Sequence, residues 1–487
     1  MGRCGRALRG LLALGLVLGV VGCGSGGSSS APVAPQGGRT VASVRGVPET
    51  IAVYNSRPVR VAGGGDDYLL ILSEPSPAGG TASIQVNGGT TPLPLLPPIE
   101  AEERRSRPGR RVAMTGWTGL LDGELGRAAT RPVVAPVVGS ARRFKAEAGG
   151  GGVVTATLRE KGRHALIYVD DETEAGALTA ADLAELRAKF DDEIYPTDTT
   201  RLGPTGDFDR NGGVILLITP AVIEGVNGYF NEEDMVPGQG NDADMLYIAA
   251  PQPSEGQTYD LLRHTVQATV AHELAHLISF NHKAAVGGEE TWLDEGYGQI
   301  AEQLNGFLDS PNSAAAYAEF YLAAPEQYTA RQLDFNYEFG HAAAGYLFVR
   351  YLTDRFGDGA LRGLVRIREK GVANVRQVTG QAYAALQPQF GAALFLAGTG
   401  LSADPRYSLP GFNPRADYPG AEVSLEGPRQ TTLSAAGGRP QATIAWQRGG
   451  LRYVRLTQVP AGGTQLHLST RDTAVQATFV RIPADLP

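Results

Sequence analysis

Apolar positions along the chain fall into three textures. Residues 41–95 carry short apolar runs, Thr50-Ile51-Ala52-Val53-Tyr54 and Tyr68-Leu69-Leu70-Ile71-Leu72, broken by Gly and Pro. Runs of that length between turn residues predict strands and a small N-terminal β domain. From about residue 153 the runs are longer. Ala165–Val169, Val214–Ile218 and Asp244–Ala249 read as strands, the first two as buried ones. Thr179–Ile194 places Leu183, Leu186, Phe190 and Ile194 on one helical stripe, with Thr179 as N-cap. Helical patterns then run from about 259 to 400. The last section, 415–487, returns to period-two alternation in Gln441–Trp446, Tyr453–Leu456 and Gln465–Leu468, which predicts a C-terminal β-sandwich.

The fold class expected is α+β, a mixed helical and stranded domain at 153–405 flanked by β domains at 41–95 and 415–487. Residues 96–152 read as a linker region. It opens with the Pro-flanked charged stretch 96–111 and closes on Gly149–Gly152.

Composition narrows the function. The chain has 487 residues with 43 basic and 51 acidic side chains, a formal charge of −8. That balance gives no general attraction to phosphate backbones, so nucleic acid is not an expected partner. The two cysteines, Cys4 and Cys23, both precede the tether, which excludes a cysteine zinc finger and disulfides in the body.

The N-terminus reads as an address. Arg3, Arg6 and Arg9 precede an apolar run, Leu11–Val21, too short to span a bilayer. The run ends at Cys23, and a Gly/Ser tether follows to residue 40. This resembles the lipobox of bacterial lipoprotein signal peptides. The resemblance implies a signal peptide at 1–22, lipidation of Cys23, and an anchored protein in the bacterial cell envelope, outside the cytoplasm, with Gly24 after the cysteine favouring the outer membrane or surface.

The chemistry centres on His272-Glu273-Leu274-Ala275-His276. Thr265–Ile278 reads as helix, so the two histidines sit at i and i+4 on one face and both reach one zinc ion. Glu273 points to the side, placed to act as general base on the attacking water. A catalytic zinc keeps three protein ligands. His282 lies six residues after His276, but Ser279 stands where a glycine turn would bring it round. Glu295, in Thr291-Trp292-Leu293-Asp294-Glu295-Gly296-Tyr297, is the better candidate and opens a second helix.

His-Glu-x-x-His, 18 intervening residues and then Glu295 in Trp-Leu-x-Glu-Gly resembles the gluzincin clan of zinc peptidases. Gly228-Tyr229-Phe230, Asp244–Ile248, Thr269-Val270-Ala271 and Thr291–Gly296 look closer still to the hyicolysin family, over about residues 160–400. The resemblance implies one zinc held by His272, His276 and Glu295, Glu273 as base, and a protein or peptide substrate cleaved internally. Aminopeptidase N-type enzymes carry a Gly-x-Met-Glu-Asn grip on the substrate amine, and this chain has no such string. Tyr337, in a Tyr-x-x-Gly entry to a helix, is the first candidate to stabilise the oxyanion and His341 the second. Two other readings stand beside the endopeptidase: an aminopeptidase, and an inactive surface-binding or adhesion lipoprotein.

Asp207, Asp209 and Asn211, followed by Gly212, resemble the start of a calcium loop. The twelfth position is Ile218, inside an apolar strand, so a Ca²⁺ site there needs ligands from elsewhere. The sequence leaves oligomeric state open.

Overall fold

The computed structural model describes residues 39–76, 80–89, 136–146, 152–222, 225–332 and 338–486. Cys23, Tyr337 and the charged stretch 96–111 lie outside the described residues, as do the signal peptide and nearly all of the tether. Among the described residues no helix is long and apolar enough to cross a membrane.

Five strands come first: β1 (Arg39–Thr40), β2 (Glu49–Ala52), β3 (Asn55–Val61), β4 (Asp67–Ser73) and β5 (Thr81–Gly88). Six more follow: β6 (Ala141–Ala146), β7 (Gly152–Lys161), β8 (Ala165–Asp170), β9 (Val214–Thr219), β10 (Gly228–Phe230) and β11 (Met245–Ala249). Seven close the chain: β12 (Asp417–Tyr418), β13 (Val423–Ser424), β14 (Gln430–Ser434), β15 (Gln441–Gln447), β16 (Leu451–Thr457), β17 (Thr464–Thr470) and β18 (Gln476–Ile482). The helices are α1 (Ala180–Lys189), α2 (Tyr195–Arg201), α3 (Tyr259–Lys283), α4 (Thr291–Leu304), α5 (Ala314–Ala323), α6 (Phe339–Phe356), α7 (Asp358–Arg366), α8 (Gly371–Thr379) and α9 (Tyr383–Leu396). The class is α+β, with β-sheets flanking a helical region.

The two terminal β regions do not fold as the two separate domains that their sequence separation implies. Their strands interleave in two five-stranded sheets, ordered β1-β3-β17-β5-β15 and β14-β16-β4-β18-β2. β4 pairs on one side with β16 and on the other with β18, both antiparallel. β17 lies between β3 and β5. Val59, Val61, Leu70, Leu72, Ile84 and Val86 from the first region pack with Trp446, Val454, Leu466, Leu468 and Phe479 from the last. The physical reason is the paired edge: neither set of strands alone satisfies its backbone hydrogen bonds, and each supplies the other's missing neighbours. On β4 the alternate side chains Leu69 and Ile71, with Leu451, Tyr453, Val480 and Ile482, face the other way and join the helical core. Tyr453 donates a hydrogen bond to the Gly391 carbonyl on α9 at 3.0 Å.

The middle region is built on a six-stranded mixed sheet, ordered β10-β11-β9-β8-β7-β6. β8, β9 and β11 run parallel, while β7, β6 and β10 run antiparallel to their neighbours. Every residue of β8 and β9 is buried. Ile167, Leu216 and Leu246 face α1 and α3, and Leu166, Ile215 and Met245 face a second apolar layer with Phe144 and Leu158. Both faces covered explains why these strands read as unbroken apolar runs rather than alternating ones. β6 corrects the linker at 96–152: its part at Ala141–Ala146 is the edge strand of this sheet. Only Phe144 and Ala146 of that strand are buried, and Arg142, Arg143 and Lys145 mask the pattern.

The expected helix at Thr179–Ile194 is capped as read. Thr179 accepts from the Asp182 N–H, and Asp182 accepts in return from the Thr179 N–H. It widens into a π-turn at Phe190–Ile194 and runs on as α2. α3 is longer than its sequence signal because Thr258 caps it, so that it begins at Tyr259, six residues before the expected start at Thr265.

Candidate metal centre

α3 presents His272, Glu273 and His276 toward α4, which presents Glu295. The Nε2 of His272 lies 3.4 Å from Glu295 Oε2, and the Nε2 of His276 lies 3.9 Å from Glu295 Oε1. The two imidazole rings meet edge to face at 4.8 Å between centroids. Ligand atoms at about 2.0–2.1 Å from a tetrahedral zinc stand roughly 3.4 Å apart, so these three side chains are spaced as zinc ligands. Their donor atoms form one cluster.

Two features of α4 bring Glu295 to that point. The first is Gly298, one turn beyond Glu295. A Cβ there would sit 2.5 Å from His272 Nε2, so no larger residue leaves room for the ring. The second is the short connection from α3 to α4, held by Lys283 and Glu289, whose side chains pair entirely out of solvent. Glu289 also accepts from the Gly371 N–H at 2.7 Å and from Asn374 Nδ2 at 2.8 Å, and Lys283 donates to the Glu369 carbonyl at 2.8 Å. A buried pair with its remaining valences satisfied fixes geometry, because moving either charge leaves the other uncompensated.

A second layer of carboxylates orients the imidazoles. Glu302 Oε1 lies 2.6 Å from His272 Nδ1. Asp294 Oδ2 lies 2.9 Å from His276 Nδ1, close but off the line of a hydrogen bond. An acceptor at Nδ1 holds the proton there and leaves Nε2 free for a metal. Neither Glu302 nor Asp294 was singled out from sequence. The one available signal is position: Glu302 lies two turns after Glu295 and so shares its face of α4.

Burial alone pulls His272 and His276 down, yet the surrounding carboxylates outweigh it and both rings shift upward, His276 to about 9. Burial pushes the Glu273 carboxyl up, against the pull of the two histidines. Four carboxylates, Glu273, Asp294, Glu295 and Glu302, thus surround two imidazoles in a poorly solvated site. That set calls for a cation, and two nitrogens with a carboxylate oxygen suit zinc.

The centre opens into a cleft of about 450 Å³. One wall is β10 and the residues before it, from Gly225 to Phe230, and the opposite wall includes Phe307, Tyr317 and Phe339. Tyr317 stacks on Phe339 at 4.7 Å between centroids. Burial, then the charges of Glu302 and Glu295, push its hydroxyl upward, so it stays a donor.

The other sequence candidates fall elsewhere. α3 continues straight through Ser279, and His282 points toward Gly203 and Arg366, away from the cluster. The His341 ring is buried against Thr329, with Nδ1 2.9 Å from that residue's carbonyl and Nε2 3.7 Å from Glu338. It is not among the residues lining the cleft. Asp207 and Asp209 cluster with Asp244, while the Asn211 side-chain Oδ1 turns back to accept from the Gly213 N–H at 2.8 Å. Burial lifts Asp209 to about 6 and Asp244 to about 7.

A partly buried two-histidine, one-glutamate cluster with Glu273 beside it, in a cleft edged by a strand, defines a candidate hydrolytic metal centre. No family model matches the chain. Over 227 residues the chain is 26% identical to the neutral metalloprotease ShpI of Staphylococcus hyicus, a distant homologue, with 42% of this chain and 48% of that protein aligned. The chain therefore spans about half the length of that curated relative. Among solved structures, an M1 zinc metallopeptidase from Deinococcus radiodurans aligns with a TM-score of 0.30 and 16% identity, covering 50% of this chain and 58% of that one. A mutant of the same peptidase aligns with a TM-score of 0.30 and 15% identity.

Replacing Glu302 by Ala removes the acceptor at His272 Nδ1 and leaves the three ligands in place. Zinc affinity, measured by competition with a chromogenic chelator, is expected to fall about 10–100-fold. Unchanged affinity would show that Glu302 does not orient the ring.

Proposed function

We propose that the protein is a zinc-dependent endopeptidase. The observation that carries this reading is the cluster of His272, His276 and Glu295 with Glu273 alongside, open to a cleft that an edge strand borders. The relation to a neutral metalloprotease supports the peptide substrate.

Zinc bound there would polarise a carbonyl and lower the pKa of the attacking water. Glu273 accepts that water's proton and returns it to the leaving nitrogen; the Phe230 N–H at its carboxyl helps keep it ionised between turnovers. β10 is the edge strand of its sheet. An extended peptide can pair along it, which lays the scissile bond across α3. Tyr317 supplies the hydrogen bond to the oxyanion from the opposite wall.

Internal cleavage is favoured over removal of N-terminal residues. Among the described residues, the carboxylates lining the cleft are Glu273, Glu295 and Glu302. Each is engaged at the metal centre, and none is left to grip a free α-amine. We further propose that the protein acts outside the cytoplasm, anchored through Cys23. Support for the anchor is the sequence pattern at 1–30 alone.

Four outcomes are expected. In a digest of an unfolded test protein read by mass spectrometry, the wild type yields new internal termini, and Glu273→Gln yields none while keeping its zinc. Full turnover by Glu273→Gln would remove the base assignment, and loss of cleavage when peptides are N-acetylated would make the enzyme an aminopeptidase. Tyr317→Phe is expected to lower kcat by about 10²–10³-fold with zinc content unchanged; normal kcat would pass the role to another donor. Cys23→Ser is expected to move the protein from the membrane to the soluble fraction in a bacterial host, and an unchanged distribution would contradict the anchor.

A further inference from the structure

The loop between α2 and β9, together with the residue that precedes β11, carries a second group of carboxylates, separate from the metal-centre cluster. Asp207, Asp209 and Asp244 each place an oxygen within 4.8 Å of the others. Asp244 is 1% exposed. One of its oxygens accepts from the Phe208 N–H, and the other, Oδ1, is buried with no hydrogen-bond partner. A buried carboxylate oxygen left without a donor is costly unless a cation faces it. Among the described residues the basic group paired with the cluster is Arg142, whose Nη1 stands 3.8 Å from Asp209 Oδ2. One guanidinium at that range leaves three carboxylates largely uncompensated.

We propose that Asp207, Asp209 and Asp244 bind a calcium ion. The donors are all oxygens, which selects a hard cation over zinc. Oxygens around one calcium at about 2.4 Å lie no more than roughly 4.8 Å apart, and the three carboxylates fall within that limit. The loop begins as calcium loops do, with aspartates at alternating positions and the tight turn at Gly212, whose φ is +84°. Gly212 also donates its N–H to Asp207 Oδ1 at 3.4 Å, which curls the loop back on itself. Strand register supplies the ligand that the loop lacks. β11 runs parallel to β9 with Met245 opposite Ile215, and the Ile215 N–H donates to the Asp244 carbonyl at 2.9 Å. Asp244 is thereby delivered to the mouth of the loop, where a continuous calcium loop would use its twelfth residue, here the buried Ile218.

The ion would tie the loop to two strands of the central sheet. The same loop packs on the end of α3, where Asn281 Nδ2 donates to the Pro204 carbonyl at 3.4 Å. Calcium at this point therefore braces the helix that carries His272 and His276 without touching the metal centre. This inference does not depend on the peptidase reading.

The test uses the zinc-loaded protein, stripped of calcium and titrated with CaCl₂ by calorimetry. One calcium per chain is expected, with Kd below about 1 mM. At tenfold saturation Tm is expected to rise by about 1–2 °C over the protein in EGTA. Asp244→Asn and the more exposed Asp207→Asn are each expected to weaken calcium at least tenfold with zinc content unchanged; Asp207→Asn carries the test if Asp244→Asn fails to fold. No saturable calcium uptake at about 10 mM, ten times the weakest Kd expected of such sites, would overturn the site. So would uptake that survives in the variants, and equal affinity for magnesium would overturn its assignment to calcium.

Discussion

The centre exists because α3 and α4 approach closely enough for one carboxylate to reach two imidazoles on a different helix. Hydrophobic packing alone does not set that distance. Gly298 removes the side chain that would collide with His272, and the buried Lys283–Glu289 pair fixes the short turn that sends α4 back along α3. Both devices sacrifice something locally, a glycine inside a helix and two charges out of water. The gain is a carboxylate and two imidazoles held in register on two different helices.

The carboxylates set the chemistry of that register. With Glu302 and Asp294 behind the rings and Glu295 and Glu273 in front, the site has more negative charge than its histidines balance. A dication restores the balance and returns the imidazoles to their neutral, ligating form. The acidic loop of Asp207, Asp209 and Asp244 repeats that logic with oxygen donors alone. The chain thus contains two carboxylate-rich clusters of different chemical character, one with imidazoles and one with oxygen donors alone.

Sequence made the centre legible where the chemistry is local. Helical periodicity places His272 and His276 on one face, and the pattern around Glu295 marks the start of the next helix. Glu302, Asp294 and Tyr317 were not legible, because their roles depend on how α4 and α5 settle against α3. Asp244 was equally hidden as a partner of Asp207, since only the pairing of β9 with β11 brings it there. The individual strands of the β-sandwich were readable from alternation, but their partners were not. β4 joins β16 and β18 from the far end of the sequence, and alternation says which face is buried without saying what lies beside it. β6 was missed for a simpler reason: an edge strand with charged outward positions looks like a linker.

The central claim is that His272, His276 and Glu295 together hold one zinc. Zinc-edge X-ray absorption on the purified protein, with Glu295→Ala measured beside it, tests that claim most directly. The account predicts one zinc per chain in a shell of two imidazole nitrogens with oxygen donors at about 2.0–2.1 Å, and loss of the metal or of one oxygen in the variant. A protein that takes up no zinc, or a shell identical in wild type and Glu295→Ala, would contradict it.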